Sequence, residues 1–320
     1  MASKRPFYHL IVFLFIVIGA LNLAQAKQLS FSHIDLGDSV QLNYRWLDKQ
    51  NQEQSLSFTV KKQVLFGHFR NFRNYKPQYS EAYIIKRLKA YTHNNPFAKI
   101  TVNFDQENEQ IILDIQGKDQ QAINAAYNKL KALTNQYLQE YLALHNYHQF
   151  TTYLGEQAIK PNHIRIADKS VLDLKALKPI ILKKVSVQNI RKVTNFILNF
   201  IQSIPYSPLE SRLTSSGAGF LPPLTLLYKN KGDCDSKVTL ATAMLRSLMP
   251  RINIIIIYIE QHALLGIEVM PQADELTLSY QGVTYVLAEP TGPALHPLGQ
   301  VDVFSKQAIL AGLYTVEKVK

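Results

Sequence analysis

The chain has 320 residues, of which 47% are hydrophobic and 18% are charged, and its 35 basic and 24 acidic residues give a formal net charge of +11. This composition excludes a disordered chain, a coiled coil and a protein with many membrane spans. The length is sufficient for two domains, each with its own core. The basic residues are spread along the chain without a dense Lys/Arg run, so we expect no nucleic-acid partner.

The first 26 residues have the pattern of a signal peptide. Lys4 and Arg5 form a short basic region, residues 7–23 are almost continuously apolar, and Ala24-Gln25-Ala26 has the small-x-small pattern that signal peptidase accepts. We therefore predict export, with cleavage after Ala26 and a periplasmic location. The alternative is an anchor in the inner membrane formed by residues 7–23, because this apolar run is at the short limit for a spanning helix.

Residues 27–150 are predicted to form a small N-terminal α+β module. Alternating apolar residues predict strands over 41–47, 55–60, 98–104 and 110–115, with the last two joined as a hairpin. Helical spacing of apolar residues predicts helices over 81–91 and 119–145. This order favours helices on one face of an antiparallel sheet. Nothing in the module is typical of catalysis, which leaves recruitment of a partner protein or a substrate as its role.

Residues 151–180 contain Gly155, Pro161 and Pro179, have weak periodicity and are predicted to be a connector. A second α+β domain is predicted over residues 181–320. Its elements are a helix over 187–204 that ends at Pro205, a helix that begins near Cys234, and strands over 252–259, 262–268 and 283–288.

Cys234 is the only cysteine, so no intramolecular disulfide can form. It follows Gly232-Asp233 and precedes a strongly helical run, which places it in the first turn of a helix capped by Asp233 or Asp235. Free backbone N–H groups and the helix dipole favour a thiolate there, whereas the two flanking carboxylates oppose it. A lone cysteine is also compatible with a small buried apolar residue. A nucleophilic Cys234 would need a base nearby.

His262 and Glu289 are the candidates for a base and its acid partner. His262 opens one predicted strand and Glu289 follows the next, and a turn is predicted midway between them, over 272–276. If the two strands form a hairpin, His262 and Glu289 lie close together across the ladder. A thiol, an imidazole and a carboxylate are the groups that a cysteine-based catalytic triad requires.

The stretch from about residue 197 to residue 293 resembles the transglutaminase-like cysteine peptidase family, whose core is related to the papain fold. Four groups of residues carry the resemblance, in this order: Ile204-Pro205-Tyr206 with Pro223-Leu224-Thr225-Leu226; Gly232-Asp233-Cys234-Asp235-Ser236-Lys237; His262-Ala263-Leu264-Leu265-Gly266-Ile267; and Ala288-Glu289-Pro290-Thr291. The resemblance covers about a third of the chain. It implies that Cys234 is the nucleophile, His262 the base and Glu289 the acid. The family often has Asp at the last position.

The resulting hypothesis is acyl transfer by a hydrolase, a cysteine peptidase or amidase that acts on exported protein or on cell-wall peptide. Cys234 attacks an amide carbonyl, and the backbone N–H of Cys234 and the side chain of Gln202 are candidate donors to the oxyanion. We expect no cofactor and no metal. The alternatives are a cross-linking transglutaminase and a non-catalytic binding or scaffold protein on the same fold.

Overall fold

The computed structural model describes residues 26–70, 72–107, 110–186, 188–209 and 219–319. The predicted signal peptide lies outside these residues, except for Ala26. Within them, no helix is both long enough and apolar enough to cross a membrane.

The chain begins with an antiparallel sheet of β1 (Lys27–Asp35), β2 (Ser39–Leu47) and β3 (Glu53–Lys61), in that order. Every second residue of β2 is buried, as the alternating sequence predicts for a strand with one face on a core. Strands β2 and β3 are therefore confirmed, and β1 is an additional strand that the sequence analysis missed.

A second group of elements follows: α1 (Lys62–Gly67), α2 (Pro77–Asn94), β4 (Ile100–Glu107), β5 (Gln110–Gly117) and α3 (Gln120–Leu144). The predicted hairpin is confirmed, because β4 and β5 pair along their whole length. The side chain of Asp119 caps α3 by accepting the N–H of Gln121. Helices α2 and α3 pack together over the hairpin around Ile84, Leu88 and Leu130.

The first sheet does not share this core. Trp46 and Tyr44 on β2 are fully buried, and both rings contact Phe200 of α6 (Ile190–Ser203). The β1–β3 sheet thus belongs to the core of the C-terminal half, and the prediction that it packs with the helices of residues 81–145 is wrong. Alternation reveals which face of a strand is apolar, but it does not reveal which part of the chain covers that face.

The span predicted as a connector is largely regular structure. A hairpin of β6 (Tyr147–Thr151) and β7 (Gln157–Pro161) is followed by α4 (His163–Ser170) and α5 (Leu177–Leu182). Asn162 caps α4 by accepting the N–H of Arg165. Helix α4 packs on α8 (Cys234–Leu248), so this span forms part of the body that carries the candidate site.

The C-terminal half combines helices with one antiparallel sheet. After α6 come α7 (Pro223–Lys229) and α8, and then β8 (Ile254–Ile259), β9 (His262–Ile267), β10 (Thr277–Tyr280), β11 (Val283–Ala288), α9 (Val303–Leu310) and β12 (Thr315–Val319). The strands lie in the order β10-β11-β9-β8-β12, and α8 packs against β9. Mixed α and β structure with antiparallel sheets agrees with the predicted class.

The path between β9 and β11 differs from the predicted hairpin. Strand β10 is inserted between them in sequence and pairs with the outer edge of β11. Strand β11 nevertheless lies beside β9, with Ala288 opposite Leu265. Continued by one step, this register places Glu289 opposite Leu264, two residues from His262. Because side chains on one face of a strand recur every second residue, His262 and Glu289 still share a face.

Candidate active site

Cys234 is the first residue of α8 and lies in a cleft. The preceding Asp233 caps the helix, and its Oδ1 accepts the N–H of Ser236 at 3.0 Å. Gly232 is needed before the cap because a Cβ atom there would lie 2.6 Å from the side chain of Leu226. The local sequence therefore fixes the helix start, and with it the position of the thiol.

The thiol group is mostly buried and is held in a protonated form. Burial raises the pKa of Cys234, and the charges of Asp235 and Asp233 raise it further, while the backbone N–H groups of Asp235 and Ala263 partly offset this. Its Sγ lies 3.7 Å from the carbonyl oxygen of Gln261. The backbone on both sides of His262 therefore contacts the sulfur, and the helix dipole does not by itself produce a thiolate.

His262 stands at the start of β9, directly after the two-residue turn Glu260-Gln261 that joins it to β8. Gln261 has φ +53°, a left-handed conformation that such a tight turn requires at one of its positions. Nε2 of His262 lies 2.5 Å from Oε1 of Glu289. Burial lowers the pKa of His262, but the hydrogen bond and charge of Glu289 outweigh it and leave the pKa above its usual value. Because Nε2 is engaged by Glu289, Nδ1 is the ring nitrogen that could accept a proton from the thiol.

The cleft around these groups has a volume of about 650 Å³. It takes residues from the β6–β7 hairpin, from the segment after α6, and from the adjoining ends of α8, β8 and β9. The lining includes Phe150, Tyr153, Lys160, Tyr206, Pro208, Asp233, Cys234, Asp235, Tyr258, Glu260, Gln261 and His262. Cys234 and His262 thus face one space that is large enough for a segment of a peptide.

Gln202 does not have the position expected of an oxyanion donor. It is fully buried in α6, and its Nε2 donates to the carbonyl oxygens of Glu289 and His296, at 2.7 and 2.8 Å. Both hydrogens of the amide are used by these two bonds. Gln202 therefore holds the backbone behind Glu289, and the backbone N–H of Cys234 remains the oxyanion donor proposed from the sequence.

Among the described residues, His262, Glu289 and Asp302 are grouped closely enough to hold a metal ion. A ring nitrogen of the histidine and a carboxylate oxygen of each acid lie within 4.8 Å of one another. Hydrogen bonds already engage these atoms. Nε2 of His262 binds Glu289, and Oγ of Ser305 lies between Glu289 and Asp302. These hydrogen bonds account for the closeness of the three groups, and no metal is needed to explain it.

His163, a buried residue at the start of α4, was not among the site residues predicted from the sequence. Its Nδ1 lies 2.9 Å from the hydroxyl of Tyr258, and its Nε2 lies 3.8 Å from Oδ2 of Asp235. Burial lowers the pKa of His163 to about 4, so the imidazole is neutral at pH 7 and forms no ion pair with Asp235. An Asn cap followed by a helix is visible in the sequence, but the direction that His163 faces depends on how α4 packs on α8.

Two lysines near the cleft are also buried. Lys160 of β7 pairs with Glu317 of β12 at 2.8 Å. Lys237, one turn after Cys234, donates from Nζ to the carbonyl oxygen of Ile204 at 2.5 Å, and burial lowers its pKa to about 8. Lys237 is fully buried although it lies in a helix close to the cleft.

Comparison with known proteins yields no match: no protein-family model, no curated protein and no solved structure is similar to this chain.

Proposed function

We propose that the protein is a thiol acyl-transfer enzyme, a cysteine peptidase or amidase, with Cys234 as nucleophile, His262 as base and Glu289 as its acid partner. The proposal rests on one observation: Cys234 contacts the backbone on both sides of His262, and Glu289 binds Nε2 of that imidazole. Such chemistry needs a base that is oriented by a carboxylate and can reach the nucleophile. Glu289 supplies the orientation, and Cys234 and His262 line the same cleft.

The course of the reaction follows from the protonation states. Cys234 is a thiol at rest, so its proton moves to Nδ1 of His262 as the sulfur attacks the amide carbonyl carbon. Glu289 stabilises the imidazolium that forms. The imidazolium then protonates the departing amine, the C–N bond breaks, and a thioester remains on Cys234. Water attacks the thioester with His262 as base and releases the acid and the free thiol.

The fold that we propose for residues 181–320 is transglutaminase-like. Support comes from the arrangement of the elements: a helix that begins at Cys234 packs on the strand that begins at His262, and the neighbouring strand leads into Glu289. With the signal-peptide pattern of residues 1–26, this suggests an exported enzyme that acts on protein or peptide. The size of the cleft is compatible with a peptide segment.

One observation favours a non-catalytic binding or scaffold protein instead. The side chain of Cys234 is only 9% exposed, and burial raises its pKa. A buried thiol of this kind is typical of a structural cysteine. The two functions differ in whether His262 activates the sulfur.

Stoichiometric alkylation with iodoacetamide between pH 4 and pH 9 tests the proposal, because Cys234 is the only thiol. We expect the native protein to react faster than a free thiol below pH 8.5, near which a free thiol titrates, because His262 takes the proton of the resting thiol as the sulfur reacts. We expect this enhancement to be lost in His262→Ala. The matched control is His93→Ala, which removes an exposed histidine on α2. An ordinary thiol profile in both the native protein and His262→Ala would favour the scaffold and reject the enzyme.

A further inference from the structure

Glu289 is held by a second side chain besides His262. Ser305, the third residue of α9, is fully buried, and its Oγ lies 3.1 Å from Oε2 of Glu289. The other carboxylate oxygen, Oε1, binds His262. Each oxygen of Glu289 therefore has its own partner, and the plane of the carboxylate is fixed by both.

The same hydroxyl connects Glu289 to Asp302. Oγ of Ser305 lies 2.8 Å from Oδ2 of Asp302, which caps α9 by accepting the N–H of Ser305 at 3.0 Å. A hydroxyl carries one hydrogen, so Ser305 donates to one carboxylate at a time and couples the two. Asp302 is also held by backbone N–H groups, whereas Ser305 is the donor that reaches Oε2 of Glu289 within the described residues.

Asp302 brings a second negative charge to His262. A ring nitrogen of His262 and one carboxylate oxygen each of Glu289 and Asp302 all lie within 4.8 Å of one another. The charge of Asp302 adds to that of Glu289 in raising the pKa of His262. The charge of Asp235 on α8 also raises the pKa of His262, and Cys234 and Glu260 line the same cleft as His262. An imidazolium at this position is therefore stabilised from two elements, the end of β11 and the start of α9.

We propose that Ser305 and Asp302 are positioning residues for the candidate triad: Ser305 fixes the side chain of Glu289, and Asp302 supplies a second carboxylate that stabilises the charged form of His262. The physical reason lies in the side chain of glutamate, which has one more rotatable bond than aspartate and so needs an additional anchor to hold one orientation. The consequence for catalysis rests on the proposed function, whereas the effect on His262 does not.

The titration of His262 itself provides the test, measured by NMR on the full chain with isotope-labelled histidine. His262→Gln assigns the resonance, and Glu289→Gln shows the imidazole without its acid. We expect Ser305→Ala to lower the pKa of His262 part of the way toward its value in Glu289→Gln, and Asp302→Asn to lower it as well. Asn is as good a helix cap as Asp, so Asp302→Asn should keep α9 intact.

Ser247→Ala is the matched control, since Ser247 is a buried helical serine at the opposite end of α8 whose hydroxyl donates to a backbone carbonyl. It should leave the titration of His262 unchanged. If Ser305→Ala and Asp302→Asn are folded and His262 titrates as in the native protein, the positioning roles are refuted. If Ser305→Ala does not fold, Asp302→Asn tests the second carboxylate. The anchor is then tested by Ser305→Cys in a Cys234→Ala background, with Cys234→Ala alone as the reference: a thiol is a weaker donor than a hydroxyl, so the pKa of His262 should fall, and an unchanged pKa would refute the anchor.

The outcome is separable from that of the proposed function. A lowered pKa of His262 in the variants, together with an ordinary alkylation profile of Cys234, would support the positioning roles and reject the enzyme. An activated thiol in the native protein, together with an unchanged pKa of His262 in the variants, would support the enzyme and reject the positioning roles.

Discussion

Oε1 of Glu289 lies 2.5 Å from Nε2 of His262, although the strand register places Glu289 opposite Leu264 and not opposite His262. An offset of two residues along a strand is about 7 Å, which the side chains have to bridge diagonally. The reach of glutamate, longer than that of aspartate by one methylene, suits this offset.

Replacing Glu289 by Gln should lower the free energy of unfolding more at acidic pH than at basic pH. The pKa of His262 is higher in the folded state than its usual value of about 6.5, so the pair contributes stability fully below that value. The contribution is lost as the pH rises through the folded pKa. The measurement is urea unfolding of both proteins at pH 5.5, 7 and 8.5. The stability gap between the native protein and Glu289→Gln should be widest at pH 5.5. A gap that is constant across this range would show that Glu289 does not stabilise a charged His262.

Replacing Asp235 by Asn should make Cys234 more reactive. Oδ1 of Asp235 lies 3.8 Å from Sγ, and its negative charge contributes to raising the pKa of the thiol, second to burial. Asparagine has the same size without the charge, so we expect several-fold faster alkylation at pH 7. Glu260→Gln is the control, because it removes an exposed carboxylate from the same cleft. Equal or slower alkylation of Asp235→Asn would contradict the electrostatic explanation.

Local patterns in the sequence predicted the elements that carry the candidate triad. Gly232-Asp233 before an apolar helix predicted the start of α8 at Cys234, and the apolar run of 252–259 predicted β8. The closeness of His262 and Glu289 was also predicted, but through a hairpin that the chain does not form, because β10 intervenes. The prediction held because the alternation of side chains keeps both residues on one face even with a different register.

The residues that surround the triad were not predictable in the same way. Gln202, His163 and Ser305 act through the direction in which a helix face packs, and that direction is set by contacts between segments far apart in the sequence. The strand over 41–47 was predicted to belong to an N-terminal module, whereas its Trp46 packs on Phe196 and Phe200 of α6. Helical and strand periodicity identify a buried face but do not identify its partner.

Replacing Gln202 by Leu should destabilise the fold. Leucine is close in size but leaves the carbonyl oxygens of Glu289 and His296 without their donor, at a cost of about 1–3 kcal/mol for each buried acceptor. Urea unfolding should show this loss, and alkylation of Cys234 should slow because Glu289 is less firmly held. Gln121→Leu, on the exposed side of α3, is the control. If Gln202 were an oxyanion donor, substrate turnover would fall while stability and alkylation stayed unchanged.

Replacing Lys237 by Met should show that the charged form of Lys237 destabilises the native protein. The pKa of Lys237 is about 8 in the folded protein, against 10.5 for an ordinary lysine, and burial is the main cause. The proton of Lys237 is therefore bound less tightly in the folded state than in the unfolded state. The free-energy cost of burying the charged lysine disappears as the pH rises from about 8 to 10.5. Relative to Lys237→Met, the native protein should gain about 3 kcal/mol of unfolding free energy over that range.

Urea unfolding at pH 7, 8, 9 and 10 gives this difference for Lys237→Met, and Lys86→Met on the exposed face of α2 should show no such dependence. At pH 7 two effects oppose each other in Lys237→Met. The variant removes a buried charge, and it also takes the donor from the carbonyl oxygen of Ile204, which lies 2.5 Å from Nζ. The pH dependence isolates the first effect, because the lost hydrogen bond to Ile204 is nearly the same at every pH. A difference between the two proteins that does not change with pH would show that Lys237 keeps an ordinary pKa despite its burial.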